Sequence, residues 1–319
     1  MPEVILVVTD RFDITADHVV TELDSRGAPV FRFDTAEFPQ RLSVSARLDT
    51  DHSGILRTPS RSVTLAEVGA IYYRRPSIYQ VDPELSEPDA KWAVKEARFG
   101  FGGLLSSLPG WLNHPADIAR CEYKPVQYAA ARQAGLRVPP TLLTSSGTET
   151  RAFAAEVGPI VYKPLSGIAY KHEHGRDFIY TQPVEESELD DAAIAATTCL
   201  FQQRQDKAYE VRLTVVDDRC FAARIDTNSE RARVDWRADY DSLSYTPIPT
   251  PAPIQTAVRS LLSLLHLRFA AIDFIVTPAD EWVFIGDVNP NGQWAWIGEL
   301  APRIASAIAD ALQGRTTPP

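Results

Sequence analysis

Short continuous apolar runs alternate along this chain with stretches whose apolar positions recur every three or four residues, the pattern of strands interleaved with amphipathic helices. Val4 to Val8 is an unbroken apolar run closed by Thr9-Asp10, as expected of a buried parallel strand. Val19, Val20 and Leu23 follow at helical spacing, and Gly27 supplies a stop. Val30 to Phe33 reads as a second strand. Leu42 to Leu48 and Ile55-Leu56, separated by Gly54, read as a hairpin, and Ala70 to Tyr73 as a further strand ahead of Arg74-Arg75-Pro76. Together these predict a small α/β unit of about 110 residues.

Residues 88–108 carry helical character that Pro109-Gly110 ends, and a helix is predicted from Pro115 through Tyr128 and Ala131 to Gly135. Residues 141–200 form a compact α/β pattern. It comprises a strand at Thr141 to Thr144, a helix behind a Ser146/Glu149 capping box, strands at Ile160 to Lys163 and Phe178 to Thr181, and a helix over Asp190 to Thr198. The last third predicts strands at 199–203, 210–216, 220–226, 272–276 and 282–287. Two amphipathic helices accompany them, one on Ile254, Val258, Leu261, Leu262 and Leu265, the other on Leu300, Ile304, Ile308 and Leu312. Prolines at 247, 249, 251 and 253 make residues 246–253 an extended connection, and Gly314 to Pro319 reads as a disordered tail.

The length of 319 residues fits two or three subdomains, and no stretch approaches the roughly 20 apolar residues that cross a bilayer. The start has neither a basic run nor a small-residue cleavage site, so it reads as a strand and not as a signal peptide, and a cytoplasmic location is expected. The net charge of −10 argues against a phosphate-backbone binder, hence against nucleic acid as a partner; a single nucleotide needs only a few placed cations. Cys121, Cys199 and Cys220 form no CxxC pair and read as reduced, structural thiols.

Three separated features carry chemistry. Lys163 ends a strand in Val161-Tyr162-Lys163-Pro164-Leu165-Ser166-Gly167, where a lysine reaches a phosphate as a point charge or else simply faces solvent. In the loop beyond, His172 and His174 suggest either a metal or a polar lid. The second feature is Phe201-Gln202-Gln203 followed by a strand with Glu210 and Arg212 on one face. That pair suits a ribose diol and a polyphosphate, or is an ordinary charge pair on a half-exposed strand. The third and strongest is Ile272-Asp273-Phe274 with Asp287-Val288-Asn289-Pro290-Asn291-Gly292-Gln293-Trp294. A carboxylate inside an apolar strand needs a compensating cation, for which Mg²⁺ with its hard oxygen ligands is the natural partner, or else Asp273 caps a turn and Asn-Pro-Asn-Gly is a plain polar turn.

Taken together these residues resemble an ATP-grasp carboxylate–amine/alcohol ligase, and within that superfamily the ribosomal-peptide maturases that make graspetides, including the microviridin-type macrocyclases. The resemblance spans nearly the whole chain. It rests on Ile71-Tyr72-Tyr73-Arg74-Arg75-Pro76, Trp111-Leu112-Asn113-His114-Pro115, the helix with Lys124, Val161-Tyr162-Lys163-Pro164, Gln202-Gln203, Glu210-Val211-Arg212 and the Asp287–Trp294 run. It implies an α/β (α+β) ATP-grasp fold, with an N-terminal pre-ATP-grasp domain over residues 1–115, a central lid domain over 116–200, a C-terminal catalytic domain over 201–314 and a tail at 315–319.

The resemblance also implies ATP and Mg²⁺ as cofactors and a ribosomally made precursor peptide, leader plus core, as partner, with a homodimer implied by the family alone. By resemblance, Lys124 and Lys163 contact the α- and β-phosphates, and backbone near Gln202 and Gln203 reads adenine. Glu210 binds ribose; Asp273, Asp287 and Asn289 hold Mg²⁺. Arg212 steadies the transferred γ-phosphate, with Arg224 either a second cation for the acyl phosphate or a strand-surface residue. Arg74 or Arg75 binds the core carboxylate, or both are plain surface charge. The acidic run Glu185–Asp191 either receives a basic leader residue or caps a helix. The chain departs from the family pattern in carrying Asp287 where Glu is usual and Gly286 where a larger apolar residue is usual. An ATP-grasp ligase adding a free amino acid to a peptide, and a silent nucleotide-gated peptide binder, are the competing readings.

Overall fold

The structure is a computed structural model that describes residues 3–49, 53–166, 169–172, 175–229, 232 and 235–315. The first unit comprises β1 (Val4–Thr9), α1 (Ile14–Ser25), β2 (Val30–Phe33), β3 (Ser43–Arg47), β4 (Ser53–Arg57), β5 (Ser62–Thr64), β6 (Val68–Arg74) and α2 (Glu87–Ser106). Its parallel sheet has the order β2-β1-β6, and the predicted hairpin gains β5 as a third strand in the order β3-β4-β5. Asp13 caps α1 by accepting from the Ala16 amide.

The helix expected from Pro115 to Gly135 is two helices, α3 (Pro115–Cys121) and α4 (Lys124–Gln133). Pro125 sits at the start of α4, where its missing N–H costs nothing, and it excludes continuation from α3. The central unit holds β7 (Thr141–Thr144), α5 (Gly147–Val157), β8 (Ile160–Lys163), β9 (Ala169–His172), β10 (Gly175–Phe178), β11 (Gln182–Val184), α6 (Asp191–Ala195) and β12 (Cys199–Gln203). Its sheet runs β11-β8-β12-β7 and is antiparallel at every pairing, with β9 and β10 as a separate hairpin. Of the strand expected at Phe178 to Thr181 only Phe178 is in one, as the last residue of β10; residues 179–181 join β10 to β11, and α6 stops short of Thr198. Gly167, His174 and residues 316–319 of the expected tail lie outside the described residues.

The final unit comprises β13 (Tyr209–Val216), β14 (Arg219–Thr227), β15 (Leu243–Ile248), α7 (Ala252–Leu265), β16 (Phe269–Val276), β17 (Trp282–Asn289) and α8 (Ala301–Leu312). The sheet is antiparallel in the order β15-β14-β13-β16-β17. Part of the proline-rich connection is therefore the edge strand β15. Cores cross the expected boundaries at 115/116 and 200/201. Cys121, Tyr128, Ala131 and Leu136 pack with β13, α7 and β16, whereas α8 packs on α1 beside β1 and β6. Among the described residues, Ile160, Ile194, Cys199 and Phe201 form the buried core of the central unit. All three cysteines are free thiols, and burial pushes those of Cys121 and Cys199 up.

Candidate active site

Between the central sheet and the β13–β17 sheet lie two adjoining cavities of about 500 and 920 Å³ that share Lys163, Arg237 and Asp273 on their walls. The smaller is lined by Gln202 to Glu210, the larger by Lys124, Arg212, Asp287, Asn289 and Arg75. Ten of the twelve residues singled out from the sequence thus line one connected cleft; Arg74 and Arg224 do not.

A break in strand register builds its centre. Ile272 pairs with Val288 and Phe274 with Phe284, so Asp273 alone faces the three residues Ile285, Gly286 and Asp287. Such a bulge re-aims side chains. It is possible here because Gly286 adopts φ of 84°, a left-handed conformation that costs other residues about 1–2 kcal/mol. A Cβ at Gly286 would also collide with the Tyr128 ring, whose hydroxyl donates to Ile285 O at 3.1 Å. The larger apolar residue usual at this position therefore has no room.

Asp287 stands among three cations. Lys124 Nζ lies 2.5 Å from Oδ1, and Lys163 Nζ and Arg237 Nη2 lie 3.8 and 3.7 Å from Oδ2. Burial alone would raise its pKa, yet Lys124, Lys163 and Arg237 hold the carboxyl well below the usual range. Lys124 also donates to Gly286 O at 3.0 Å and Lys163 to Ile285 O at 2.6 Å, so the bulge carbonyls anchor both ammonium groups. Burial lowers the pKa of Lys163, partly countered by Asp287.

Asp273 pairs with Arg212 at 2.7 Å across the β13–β16 ladder, where the two residues are direct neighbours. Asn289 accepts from the Asn291 amide at 3.0 Å in the turn that follows. Among the described residues no three His, Cys, Asp or Glu side chains cluster as a metal cage. Two carboxylates and an amide instead fit a cation that takes the rest of its shell from phosphates and water. Asp287 Oδ2, buried and without a hydrogen-bond partner, is an oxygen such a cation would satisfy.

At the other end Glu210 is buried and paired with Lys207 Nζ at 2.5 Å. Burial pushes its carboxyl up to about 7, with Lys207 offsetting part of the rise. Gln202 donates to Tyr128 Oη and Thr141 Oγ1, and Gln203 to Val157 O, so both amides brace the end of β12.

Two expectations change. Arg224 faces the opposite side of the sheet from Arg212: it is opposite Val211, bonds Asp226 at 2.7 Å and lies over the Tyr209 ring, so it lines neither cavity. Arg74 is buried, charge-paired to Asp13 at 2.8 Å and bonded to the Asn291 and Gly292 carbonyls, so no carboxylate can reach it. Arg75 faces the larger cavity with φ of 43° and no ion pair among the described residues, and burial beside Arg74 lowers its pKa. The acidic run is exposed: Glu188 bonds the Glu185 amide and Asp190 caps α6, both duties of a helix start.

Arg237, Asp235 and Lys207 escaped the sequence reading. Asp235 holds Arg237 at 2.8 Å, and Asp287 and Asp235 raise the Arg237 pKa against the effect of burial. The signal for Asp235 and Arg237 was an Asp-x-Arg spacing in an aperiodic connection between β14 and β15; Lys207, in the link between β12 and β13, carried none.

The family model for the MvdD pre-ATP grasp domain matches residues 4–119. No curated protein matches the sequence significantly. Among solved structures, the chain is similar to a RiPP-associated ATP-grasp ligase of Chryseobacterium gregarium in complex with ADP and a leader and core peptide. That match has 29% identity and a TM-score of 0.91, covering 99% of this chain and 98% of that one. It is similar also to macrocyclase MdnC of Microcystis aeruginosa bound with precursor peptide MdnA, at 29% identity and TM-score 0.84 over 98% of this chain and 100% of the other. Macrocyclase MdnB from the same organism matches at 26% identity and TM-score 0.78 over 98% and 99%. The resemblance read from the residues is thus met in three dimensions: over nearly its whole length this chain is similar to the RiPP-associated ATP-grasp ligases.

Proposed function

We propose that this protein is an ATP- and Mg²⁺-dependent peptide macrocyclase. It activates Asp or Glu side chains of a ribosomal precursor peptide as acyl phosphates and joins them to Ser or Thr hydroxyls as esters, or to Lys amines as amides. The observation that carries the reading is the convergence of Lys124, Lys163 and Arg237 on Asp287, with Asp273 and Asn289 alongside, at the junction of two cavities. The relatives of similar fold that are bound to ADP or to precursor peptides support it.

The smaller cavity takes the nucleoside, with Glu210 accepting from the ribose hydroxyls and the Gln202–Gln203 backbone meeting the base. Lys124 and Lys163 neutralise phosphate oxygens. Asp273, Asp287 and Asn289 hold Mg²⁺, which neutralises phosphate charge when bound. Arg212 and Arg237 face the charge that develops as the terminal phosphoryl group passes to the substrate carboxylate, leaving ADP. Arg75 holds that carboxylate in line. The peptide's hydroxyl or amine then attacks the acyl carbon, loses its proton, and phosphate departs; positioning supplies most of the acceleration. The central unit over the cleft excludes the water that would hydrolyse the acyl phosphate.

Intact mass spectrometry tests this reading. A short precursor encoded beside the gene is incubated with enzyme, ATP and Mg²⁺. Losses of one water per closure that resist trypsin as crosslinks are the expected result, and gain of an amino-acid residue mass would replace macrocyclisation by amino-acid ligation.

A further inference from the structure

The turn that carries Asn289 is not held by its own unit alone. Arg74, at the end of β6, donates from Nη1 to Asn291 O at 2.8 Å and to Gly292 O at 3.0 Å. Its Nε is charge-paired with Asp13, the residue that caps α1, at 2.8 Å. Asn113, in the link before α3, donates to Pro290 O at 3.0 Å and Phe269 O at 2.7 Å, and accepts from the Arg268 and Phe269 amides. Gln127 of α4 completes the set by exchanging hydrogen bonds with both backbone groups of Val288. Arg74, Asn113 and Gln127 are all buried.

A Cβ on Gly292 would strike the Ala271 side chain, so the turn is pressed against β16 while these side chains grip its carbonyls from behind. Val288 before Asn289, and Pro290, Asn291 and Gly292 after it, therefore each have a backbone group held by a side chain 161 or more residues earlier in the chain. Charge-assisted bonds from a fully buried guanidinium are among the stronger and better-directed ones a fold offers. Arg74 is also covalently next to Arg75, whose left-handed backbone turns its side chain into the larger cavity.

We propose that Arg74 and Asn113 are positioning residues for the metal end of the site: they fix the Asn289 turn and tie it to the peptide-facing Arg75. Neither touches the reacting groups. The inference rests on the proposed role of Asp287 and Asn289 as metal ligands and adds that the N-terminal unit sets their geometry. Groups that bond a metal ligand directly change metal affinity by about 10- to 100-fold; Arg74 and Asn113 act through the carbonyls of the residues that follow Asn289, so the lower end of that range applies.

The test measures binding, not turnover. Mn²⁺, a paramagnetic stand-in for Mg²⁺, is titrated into the full chain saturated with ADP, and ADP affinity is measured separately in EDTA. Arg74→Gln is expected to raise the Mn²⁺ concentration for half-saturation about tenfold, with metal-free ADP affinity within about twofold of the parent. Asp13→Asn keeps the α1 cap but removes the charge opposite Arg74. It is expected to move Mn²⁺ affinity in the same direction by a smaller factor, and it decides the matter if Arg74→Gln does not fold. Unchanged Mn²⁺ affinity, or parallel weakening of Mn²⁺ and metal-free ADP, overturns the positioning role alone. Absence of ADP-dependent Mn²⁺ binding in the parent protein overturns the metal reading and the positioning role together.

Discussion

Asp287→Asn removes one negative charge and almost no volume, at the point where the three cations converge. Without nucleotide, Asp287 neutralises Lys124 at 2.5 Å and faces Lys163 and Arg237 at 3.8 and 3.7 Å. One such pair at 4 Å is worth about 4 kcal/mol gross at an effective dielectric near 20, and desolvation offsets most of it. A net residue of about 1.4 kcal/mol corresponds to a tenfold change in binding. In the variant the cations are short of one counter-charge, so metal-free ADP, which brings its own charge, binds about tenfold tighter. With Mg²⁺ the order reverses. A metal ligand is gone, Mg-nucleotide binds more weakly, and crosslinking falls by about a hundredfold or more. Isothermal titration with ADP in EDTA and then in Mg²⁺ reads both signs. If metal-free ADP binds more weakly to the variant, Asp287 does not compete with phosphate for these cations, and the electrostatic account of the site fails.

Further outcomes can be stated briefly. Because burial lifts Glu210 from 4.5 to about 7, its ionisation is suppressed in the folded state. Stability therefore falls as pH rises between these values and levels off above, whereas nucleotide affinity rises through about pH 7 as the carboxylate forms. Denaturation midpoints and ADP titrations across pH 5 to 8 read this, and Glu210→Gln is expected to flatten both profiles. Gly286→Ala combines a left-handed alanine, about 1–2 kcal/mol, with displacement of the Tyr128 ring, about 1–3 kcal/mol. A lowered melting temperature with loss of crosslinking is expected, and Tyr128→Ala in the same chain relieves only the second part. Arg224→Ala changes the crosslinking rate less than about twofold and stability by about 0.5 kcal/mol or less, since its side chain is 40% exposed, with Asp226 and the Tyr209 ring as its neighbours and neither cavity in reach.

Much of this was legible in residue order. Strands β2, β7, β8 and β12 lie where apolar runs with clear ends predict them, because a short run bounded by turn residues has one reading. The α3–α4 break was missed although Pro125 announced it: the apolar spacing on either side happens to be in phase, and periodicity outvoted the proline. β9 and β10 escaped because Ala169–His172 and Gly175–Phe178 are four residues each and carry neither an apolar run nor a readable alternation. In the site, Asp273 stood out as a charge inside an apolar run, and Lys163 and Asp287 as charges that close one. Arg237 and Lys207 are ordinary charges in loops, and only tertiary placement gives them a role. Arg74 and Arg75 could not be told apart by sequence, since which of two adjacent arginines turns inward depends on the backbone turn after β6.

One edge of the large sheet has a meaning for how a peptide meets this protein. β15 is the outermost strand, and within it Pro247 lies opposite Ala223, with Pro249 directly following. A proline in a paired strand turns its missing donor outward, away from the partner. The outer margin therefore offers an arriving extended chain a ladder with absent rungs, and strand addition along it is disfavoured. A catalyst that handles flexible peptides is exposed to having them zip onto its own sheet. Here that margin is closed to such capture, and under the proposed function a peptide segment would be held elsewhere on the protein.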